Sequence, residues 1–508
     1  MRVSKTTIKQ IDSSKVALPT QEVFNLPEKV LQFGTGVLLR GLPDYFIDKA
    51  NNEKRFGGRI VVVKSTDNGD THAFEQQDNL YTICTRGIEN GQPVERNAIN
   101  ASISRVLSAK TDWAAILQCA HNAQLQFVIS NTTEVGIQLQ VADLQNEVPV
   151  SFPGRLLTFL QERYHAFNGS AESGLVILPT ELISNNGSEL QTIVLKLAQL
   201  KNADTAFIDW LQTHNRFCNT LVDRIVPGKP NNINAIQQAL GYEDALLIEA
   251  EPFTLWAIEG DVDIDRQITF QDKAAGCFVV KDLNVYRELK LRLLNATHSF
   301  CCGLAFFNGF DTVASAMQDE DFRGFVKELL YNEIAPSIPY PIDASEITRF
   351  ADAVMERFAN PYLKHYWINI SLQYSLKFKA RCIPLLKKYI ATNSQLPPNM
   401  IKGFAAYIAF MKVAEQKGND YFGLFNQVNY PIQDSEAAFF KEVWQSADNT
   451  ASVAKAVLGN SDFWNEDLLS INGLLKGITE QLNKLFRKYG LTIAAPSPSQ
   501  KETTYHEQ

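Results

Sequence analysis

The chain contains 508 residues, of which 45% are hydrophobic, and carries a formal net charge of -8 at pH 7. This length and apolar content allow two domains, or three, each with a large core of its own. The acidic balance argues against a nucleic-acid or anionic-membrane surface, which would show a basic patch, and leaves a small molecule as the expected partner.

The cysteines and the apolar segments exclude further classes. The seven cysteines are odd in number and scattered, and they form no CxxC pair, so neither a disulfide framework nor a zinc site is predicted. The N-terminal segment lacks the apolar core of a signal peptide, and no stretch approaches about 18 consecutive apolar residues. We therefore expect a cytoplasmic protein with reduced core cysteines and no bound metal.

The first structural unit along the chain is a strand that runs into a glycine turn. Residues 29–33 read as a short buried strand, Gly34 and Gly36 follow, and residues 37–47 are mostly apolar and predict a helix. In a nucleotide-binding βαβ unit, such glycines let the backbone approach a pyrophosphate, and the helix N-terminus stabilises its charge. The third glycine of the usual GxGxxG is Leu39 here, and Arg40 is either a phosphate ligand or a surface residue.

Three more predicted strands, at residues 59–64, 126–130 and 174–178, alternate with helical stretches. This alternation predicts a largely parallel sheet, whose ligands collect where the strands end. Asp67 follows the second strand and is the candidate for the ribose hydroxyls. Lys64 precedes it and suits a 2′-phosphate, so these residues leave NAD and NADP both open.

From about residue 282 the sequence changes to long helical runs, predicted at 321–332, 345–357, 399–416 and 435–444. The predicted fold class is therefore an α/β Rossmann-type N-terminal domain with a mainly α-helical C-terminal domain. We place the dinucleotide-binding domain at 1–280, the helical substrate domain at 281–490 and a polar, proline-bearing disordered tail at 491–508.

One leucine-rich helix at the start of the second domain carries Lys290, Asn295 and His298. On an α-helix, positions five and eight beyond Lys290 lie about 140° and 80° round from it, so the three can share one face. Burial lowers the pKa of a lysine, which can then exchange a proton with a substrate. The alternative is ordinary helix packing, with Lys290 extending to solvent and His298 in the core.

Two other charged segments are candidates for substrate binding. Asp223 and Arg224 are adjacent, and a structural salt bridge is the alternative for them. Residues 375–381 carry Lys377, Lys379 and Arg381 in alternation. In extended form the three cations would point to one side and suit a carboxylate, with Arg381 able to bind it bidentately. The alternative is a solvated basic face.

Together these segments resemble the mannitol dehydrogenase family, the polyol-specific long-chain dehydrogenases, over residues 30–485. The resemblance rests on FGTG at 33–36, on VDRIVPG at 222–228, and above all on Lys290, Asn295 and His298, which match the family's Lys-x4-Asn-x2-His signature. SNTTEVGI, ELISNNG and RFANPYLKH are similar to the branch of the family that acts on uronates.

This resemblance implies an NAD-binding Rossmann-type domain, a catalytic site in the cleft between two domains, and no catalytic metal. It makes Lys290 the general acid/base, Asn295 and Asn186 donors to the substrate oxygen, and His298 a polarising or positioning partner. Polyol-acting members carry a glutamate where this chain has Arg287, so a proton path through that glutamate is not carried over. The resemblance makes residues 30–41 the dinucleotide loop. With the strand-end and charged segments described above, the expected cofactor contacts are Val30, Leu31, Gln32, Phe33, Gly34, Thr35, Gly36, Val37, Leu38, Leu39, Arg40, Gly41, Asp67, Asn131, Glu134 and Asp223, and the expected substrate contacts are Lys377, Arg381 and Arg224.

The expected reaction is the reversible, NAD-dependent reduction of D-tagaturonate to D-altronate. Amide donors stabilise the oxygen that becomes negative during hydride transfer, and a lysine protonates it. Reduction of D-fructuronate and oxidation of mannitol remain open, as does a sensor that binds NAD without turnover. Such a sensor would not need the proton carrier Lys290. The sequence leaves the oligomeric state open.

Overall fold

The computed structural model describes residues 1–65, 71–132 and 136–493, and its contacts divide the chain into two units, Met1–Tyr286 and Arg287–Gln508. Asp67 and Glu134 lie outside the described residues, as does most of the tail predicted to be disordered. All seven cysteines are free and buried, as expected. Within the described ranges, no helix has the length and apolarity needed to cross a membrane.

A six-stranded parallel sheet forms the centre of the first unit. The strands of this unit are β1 Glu28–Phe33, β2 Arg59–Lys64, β3 Tyr81–Glu89, β4 Gln92–Asn100, β5 Ile103–Ser108, β6 Phe127–Ser130, β7 Val176–Pro179, β8 Arg216–Phe217, β9 Thr220–Asp223, β10 Ile248–Ala250, β11 Leu255–Glu259 and β12 Cys277–Val280. The central sheet has the order β5-β2-β1-β6-β7-β8. This order reverses between β1 and β6, which is where open α/β sheets bind nucleotides. The predicted Rossmann-type fold is confirmed.

The central sheet is buried on both faces because its strands are continuous apolar runs. Val30 and Val62 lie in one core, and Leu31 and Val61 lie in the other. The helices of this unit are α1 Val37–Gly41, α2 Pro43–Asn52, α3 His72–Gln76, α4 Trp113–Gln118, α5 Phe152–Ala166, α6 Asn186–Leu200, α7 Thr205–Thr213, α8 Ile233–Leu240 and α9 Val262–Gln267, and α10 Asn284–Leu289 runs across the boundary. Two small sheets, β10-β3-β4 and β12-β11-β9, complete the unit.

The second unit is mainly helical, as predicted. It contains α11 Thr297–Phe307, α12 Val313–Gln318, α13 Glu320–Glu328, α14 Ala344–Phe358, α15 Trp367–Ile370, α16 Tyr374–Arg381, α17 Ile383–Asn393, α18 Pro398–Phe410, α19 Ala437–Ser446, α20 Thr450–Leu458, α21 Ser461–Trp464 and α22 Leu474–Tyr489, with π-helical segments at Lys290–Ala296 and Leu329–Ile334. Over both units, short 3₁₀ helices lie at Ile8–Gln10, Gln21–Asn25, Cys119–His121, Val141–Leu144, Ala171–Ser173, Ala335–Ser337 and Leu468–Ser470. In the second unit, α11 and α18 approach so closely that a Cβ on Gly303 would lie 2.6 Å from the carbonyl oxygen of Ala406.

The predicted helix over residues 399–416 is too long. α18 ends at Phe410, whose carbonyl oxygen accepts the Tyr430 hydroxyl at 2.7 Å. The chain then forms an antiparallel sheet of β13 Glu415–Lys417, β14 Asp420–Phe425 and β15 Val428–Pro431, which the sequence analysis did not predict. Gly418 and the residue after it form a two-residue hairpin turn, with Gly418 at a φ of +60°. The hairpin that this turn closes replaces the last part of the predicted helix.

A buried polar cluster lies beside the loop that follows β1. The Asp44 carboxylate accepts the Tyr81 hydroxyl at 3.3 Å and the Gln32 amide at 3.5 Å. The same Gln32 amide lies 3.5 Å from the carbonyl oxygen of Gly34 in the loop. Burial raises the pKa of Asp44 from 3.8 to about 8, with smaller opposing contributions from Tyr81, Arg40 and Gln32. At neutral pH the Asp44 carboxyl is therefore protonated.

We expect Asp44→Asn to weaken the pH dependence of stability. Folding takes up a proton at Asp44 between pH 3.8 and about 8, so the stability due to this group falls as the pH rises through that window. One proton corresponds to a slope of about 1.4 kcal/mol per pH unit. Thermal unfolding at pH 5.5 to 8.5 should show the variant losing less stability with pH than the wild type does. Asp209→Asn, at an exposed carboxylate on α7, is the control, and equal slopes for D44N and wild type would contradict the assignment.

Candidate functional site

The loop after β1 has the geometry of a dinucleotide loop. Gly34 has a φ of +125°, and a Cβ there would lie 2.8 Å from Cδ1 of Leu39, so only glycine fits without strain. A Cβ on exposed Gly36 would meet nothing within 4 Å, which leaves its backbone open to a ligand. The loop lies at the carboxyl end of β1, where the strand order reverses. These features fit a bound pyrophosphate.

Only part of the predicted cofactor segment reaches the surface. The side chains of Val30, Leu31, Phe33 and Leu39 are wholly buried in the cores, and Gln32 and Gly41 are buried as well. Gly34, Thr35, Val37 and Leu38 are half-buried, and Gly36 is exposed. The strand residues therefore position the loop and do not themselves face a ligand.

The helix after the loop differs from the prediction. α1 has only five residues and ends before Leu42, because Pro43 begins a new helix. Arg40 was predicted as a phosphate ligand or a surface residue. Its guanidinium is instead buried, donates to the Leu246 carbonyl at 2.5 Å and lies 5.3 Å from the Tyr81 ring centroid. Arg40 is thus placed as a packing residue of the first unit.

The loops after β6 and β7 are tied together by Glu181, a residue that the sequence analysis missed. Its carboxylate accepts the backbone N–H of Thr132 at 2.9 Å and the Ser130 hydroxyl at 3.2 Å. Asn131 donates its side-chain amide to the Thr180 carbonyl at 3.0 Å. Asn131, a predicted cofactor contact, lies next to the Gly34 loop, since a Cβ on Gly34 would be 3.1 Å from the Asn131 carbonyl oxygen. Glu181 holds the backbone beside it.

Asn186 is placed differently from the predicted role of substrate donor. Its Nδ2 donates to the carbonyls of Pro179 at 3.0 Å and Glu181 at 3.1 Å. Its Oδ1 accepts the backbone N–H groups of Thr220 and Gly187, each at 2.9 Å. The side chain is wholly buried, so its amide joins the end of β7 to β9. The expectation that Asn186 donates to the substrate oxygen is corrected, because its amide hydrogens are already donated to backbone carbonyl groups.

Arg224 is likewise engaged within the first unit. Its guanidinium donates to the carbonyl of Glu251 at 3.0 Å, to the carbonyl of Gly41, and to the Thr85 hydroxyl at 3.3 Å. It also lies 4.7 Å from the ring centroid of Tyr45. The predicted substrate contact is therefore corrected to a structural one that holds the end of α1.

Other predicted and unpredicted residues lie around the strand ends of the first unit. Asp223 is buried at the end of β9 in a small sheet, and Lys64 is buried at the end of β2. Arg155, which the sequence did not indicate, donates to the Ser65 carbonyl at 2.9 Å. Ser65, Thr132 and Arg155 line one cavity at the ends of β2 and β6. This cavity continues the strand-end edge at which a dinucleotide binds.

In the second unit, Lys290 and Asn295 stand at opposite ends of one π-helical turn. The segment Lys290–Ala296 is π-helical, and α11 continues it. Because a π-helix joins residues i and i+5, the two side chains lie about one turn apart on the same face. The α-helical geometry predicted for them is therefore replaced by a closer alignment. Both residues are half-buried, and Lys290 is not enclosed as the leucine pattern suggested.

His298 is buried among aromatic rings at the start of α11. Its ring stacks on Phe358 with centroids 4.2 Å apart and lies 4.9 Å from the ring of His365. Its Nε2 has no hydrogen-bond partner among the residues that the structure describes. Burial holds the pKa of His298 well below its usual range, and the nearby basic groups His365 and Arg357 lower it further. His298 is therefore neutral, and the described residues leave the hydrogen-bonding capacity of its buried Nε2 unused.

The extended form predicted for residues 375–381 is wrong, because the segment is the helix α16. Lys377 and Arg381 are one turn apart and so share a face, whereas Lys379 points elsewhere and donates to Asn465 at 3.1 Å. Tyr374 anchors the start of this helix, since its ring is wholly buried and its hydroxyl donates to the Ser299 carbonyl at 2.6 Å. Lys379 is removed from the predicted cluster of three cations.

Arg381 is the cation of this pair that is least engaged by protein. Its guanidinium is half-buried, and the one hydrogen bond that the described part of the chain gives it reaches the Ser299 hydroxyl at 3.4 Å. Lys377 donates to the Ile370 carbonyl at 3.0 Å. Burial lowers the pKa of both side chains, and Arg381 lowers that of Lys377 further. An anion at this face would relieve that repulsion.

Comparison with known families and proteins accounts for nearly the whole chain. Residues 28–269 match the mannitol dehydrogenase Rossmann domain, and residues 282–486 match the mannitol dehydrogenase C-terminal domain. The chain is 37% identical to the altronate oxidoreductase of Bacillus subtilis over 90% of its own length and 93% of that protein's. It is 36% identical to the altronate oxidoreductase of Halalkalibacterium halodurans over 91% and 92% of the two lengths.

Two solved structures share the fold at lower identity. A D-sorbitol dehydrogenase in substrate-free form is 22% identical, with a TM-score of 0.78 over 98% of this chain and 100% of that one. The Pseudomonas fluorescens mannitol 2-dehydrogenase, in a ternary complex with NAD and D-mannitol, is 21% identical, with a TM-score of 0.67 over 96% and 100%. Both support the same succession of a Rossmann-type and a helical domain.

We expect Asn186→Ala to lower stability, because it leaves several backbone groups without their partner. Each buried group left unpaired costs about 1–3 kcal/mol, so the temperature of thermal unfolding should fall by several degrees. Gln199→Ala, at an exposed position of the same helix, is the matched control. A variant that unfolds at the wild-type temperature but has lost turnover would instead return Asn186 to the predicted catalytic role.

Proposed function

The chain belongs to the mannitol dehydrogenase family, and from this premise we propose that it is an NAD-dependent oxidoreductase that interconverts D-tagaturonate and D-altronate. The relatives named altronate oxidoreductase support this substrate, since they cover about nine-tenths of the chain. The structural observation that carries the proposal is the second unit's pairing of Lys290 and Asn295 on one helix face with a set of cations around His298. Lys290 and Asn295 can donate to a carbonyl oxygen, and the cations can bind a carboxylate.

The first unit supplies the cofactor site in this proposal. The open backbone at Gly36 and the positive-φ turn at Gly34 fit a pyrophosphate, and Glu181 fixes the neighbouring loop. When bound, NADH supplies the hydride for reduction of the keto carbon. The buried position of Lys64 in β2 does not favour recognition of a 2′-phosphate, in agreement with NAD as the cofactor.

The second unit supplies the groups that act on the substrate oxygen. As the ketone is reduced, its oxygen gains negative charge, which the Asn295 amide stabilises by donating a hydrogen bond. Lys290 then donates a proton from Nζ to this oxygen, which gives the alcohol. In the oxidation direction, Nζ of Lys290 accepts that proton from the alcohol. Together the steps consume one ketone, one NADH and one proton, and yield one alcohol and NAD.

The substrate carboxylate is assigned to the face of α16 that carries Lys377 and Arg381. Arg381 has donors that its one long hydrogen bond within the described part of the chain does not use, and a guanidinium binds a carboxylate bidentately. A polyol offers no negative charge to this face. A sugar acid is therefore a better fit than mannitol or sorbitol.

The proposal predicts the order of a substrate panel. With NADH, kcat/KM should be highest for D-tagaturonate, lower for D-fructuronate and lowest for D-fructose, which lacks the carboxylate. Repetition with NADPH tests the cofactor, for which we expect lower activity. Fastest turnover of fructose would refute the sugar-acid assignment, and fastest turnover of fructuronate would refute the choice between the two epimeric acids.

We expect Lys290→Ala to reduce kcat by about 10²–10⁴-fold, because the proton carrier is lost. Binding of NADH, followed by its fluorescence, should remain within about twofold of the wild-type value, since the cofactor contacts lie in the other unit. Lys281→Ala, at an exposed lysine nearby in sequence, is the control. Turnover near the wild-type rate would remove Lys290 from the proposed chemistry.

A further inference from the structure

One side chain of β1 holds the loop that carries Gly34. Gln32 is wholly buried, and its Nε2 lies 3.5 Å from the carbonyl oxygen of Gly34 and 3.5 Å from Oδ2 of Asp44. A side-chain amide has two hydrogens, so it can donate to both oxygens at once. The backbone N–H of Gly34 donates to the Val63 carbonyl at 2.9 Å. Both backbone polar groups of this glycine are therefore engaged, one by β2 and the other by Gln32.

Asp44 lies in the first turn of α2, and its side chain is wholly buried. The Tyr81 hydroxyl is 3.3 Å from Oδ2 of Asp44 and 3.0 Å from the carbonyl oxygen of Arg40. A hydroxyl has one hydrogen, and the shorter distance favours the Arg40 carbonyl as its acceptor. A protonated Asp44 can then give its own hydrogen to the Tyr81 oxygen. The hydrogen-bond geometry therefore suits the neutral carboxyl.

Charged and titratable groups face Asp44 from three elements. Burial raises the pKa of Asp44 to about 8. Tyr81 on β3 and Arg40 on α1 oppose this rise, whereas Asp48 on α2 adds to it. Asp244, in the segment between α8 and β10, acts on Arg40. The carboxyl therefore changes from neutral to charged a little above neutral pH, where cofactor binding can be measured.

Ionisation of Asp44 would act on the loop in two ways. Hydrogen bonds to a charged acceptor are about twice as strong as those between neutral groups, so the carboxylate would compete with the Gly34 carbonyl for the Gln32 amide. It would also place a negative charge, little screened because it is buried, beside a loop that fits a pyrophosphate. Both effects disfavour an anionic dinucleotide.

We infer that Gln32 and Asp44 are positioning residues for the cofactor, and that the dinucleotide binds more tightly while the Asp44 carboxyl is neutral. This inference rests on the cofactor site of the proposed function. Both side chains are buried and act through the Gly34 carbonyl. A ligand that prefers the protonated form of a group takes up protons as it binds. Cofactor binding is therefore linked to proton uptake at Asp44.

The test measures binding of NADH to the full chain from pH 7 to 9.5, a range in which the charge of NADH itself is constant. Calorimetry in two buffers of different ionisation enthalpy gives the number of protons taken up. At pH 8, where Asp44 is about half ionised, we expect the wild type to take up as much as about half a proton. Its Kd should rise about threefold or more by pH 9.5. Asp44→Asn is neutral throughout, so both effects should be much smaller.

Asp48→Asn is the matched control, because Asp48 is a second buried carboxyl one turn further along α2. Its oxygens accept the Ala101 backbone N–H at 2.8 Å and the Asn52 amide at 3.0 Å, whereas Asp44 faces Gln32. Burial raises its pKa to about 7, so it is already largely ionised at pH 8. The control should keep the wild-type dependence above pH 8. Retention of that dependence by Asp44→Asn would overturn the inference, and so would its equal loss in Asp48→Asn.

Gln32→Met tests the positioning step separately, because it keeps the size of the side chain and removes the amide. We expect Kd for NADH at pH 7 to rise about threefold or more, while kcat at saturating NADH stays within about twofold of the wild type. An unchanged Kd would overturn the inference. This variant and proton uptake by the wild type decide the outcome if thermal unfolding shows that Asp44→Asn does not fold.

The wild type alone separates this inference from the proposed function. If it binds no NADH at any pH, the proposed cofactor site fails, and the inference fails with it. If it binds NADH without taking up protons at pH 8, only the inference fails.

Discussion

Burial of the parallel sheet on both faces is the constraint on which the first unit depends. Successive side chains of β1 enter two different cores, Val30 one and Leu31 the other, so the strand offers no side chain to a ligand. Polar chemistry is left to the strand ends, where backbone groups emerge from the ladder. Glu181 and Asn186 use their polar atoms to tie these ends together, which holds the glycine loop next to a fixed neighbour.

The second unit meets a similar constraint with helices. α11 packs so closely on α18 that Gly303 and Gly403 are required at the crossing, and this contact fixes how α11 and the π-helical turn before it are rotated. The turn brings Lys290 and Asn295 into line, because its hydrogen bonds join residues five apart. The same rotation directs His298 toward Phe358 and His365. Packing far from the substrate groups therefore sets their direction.

The sequence predicted those features that depend on local pattern. The run of β-branched residues in β2 identified a buried strand, and the leucine-rich segment from Lys290 to His298 identified a helix. The roles of Asn186 and Arg224 could not be predicted, because an amide or guanidinium in a motif looks the same whether its partner is a ligand or a distant carbonyl. The alternation of cations near Lys377 suggested a strand, but the segment is a helix whose first residue, Tyr374, is buried. Arg357 and His365 join His298 only through tertiary packing, which a single sequence does not reveal.

The basic side chains that lower the pKa of His298 also explain why a neutral histidine suits this position. A protonated His298 would add to the repulsion among Arg357, Arg381 and Lys377, whereas a neutral ring fills the space without further charge. Lys377 and Arg381 share a face of α16, and Arg381 lowers the pKa of Lys377, so these two like charges cost the free protein stability. In the proposed function, a carboxylate bound at this face would remove that repulsion, and part of its binding free energy would come from this pair of cations. An uncharged polyol could not obtain that contribution, so discrimination between acid and polyol would follow from electrostatics and not from shape alone.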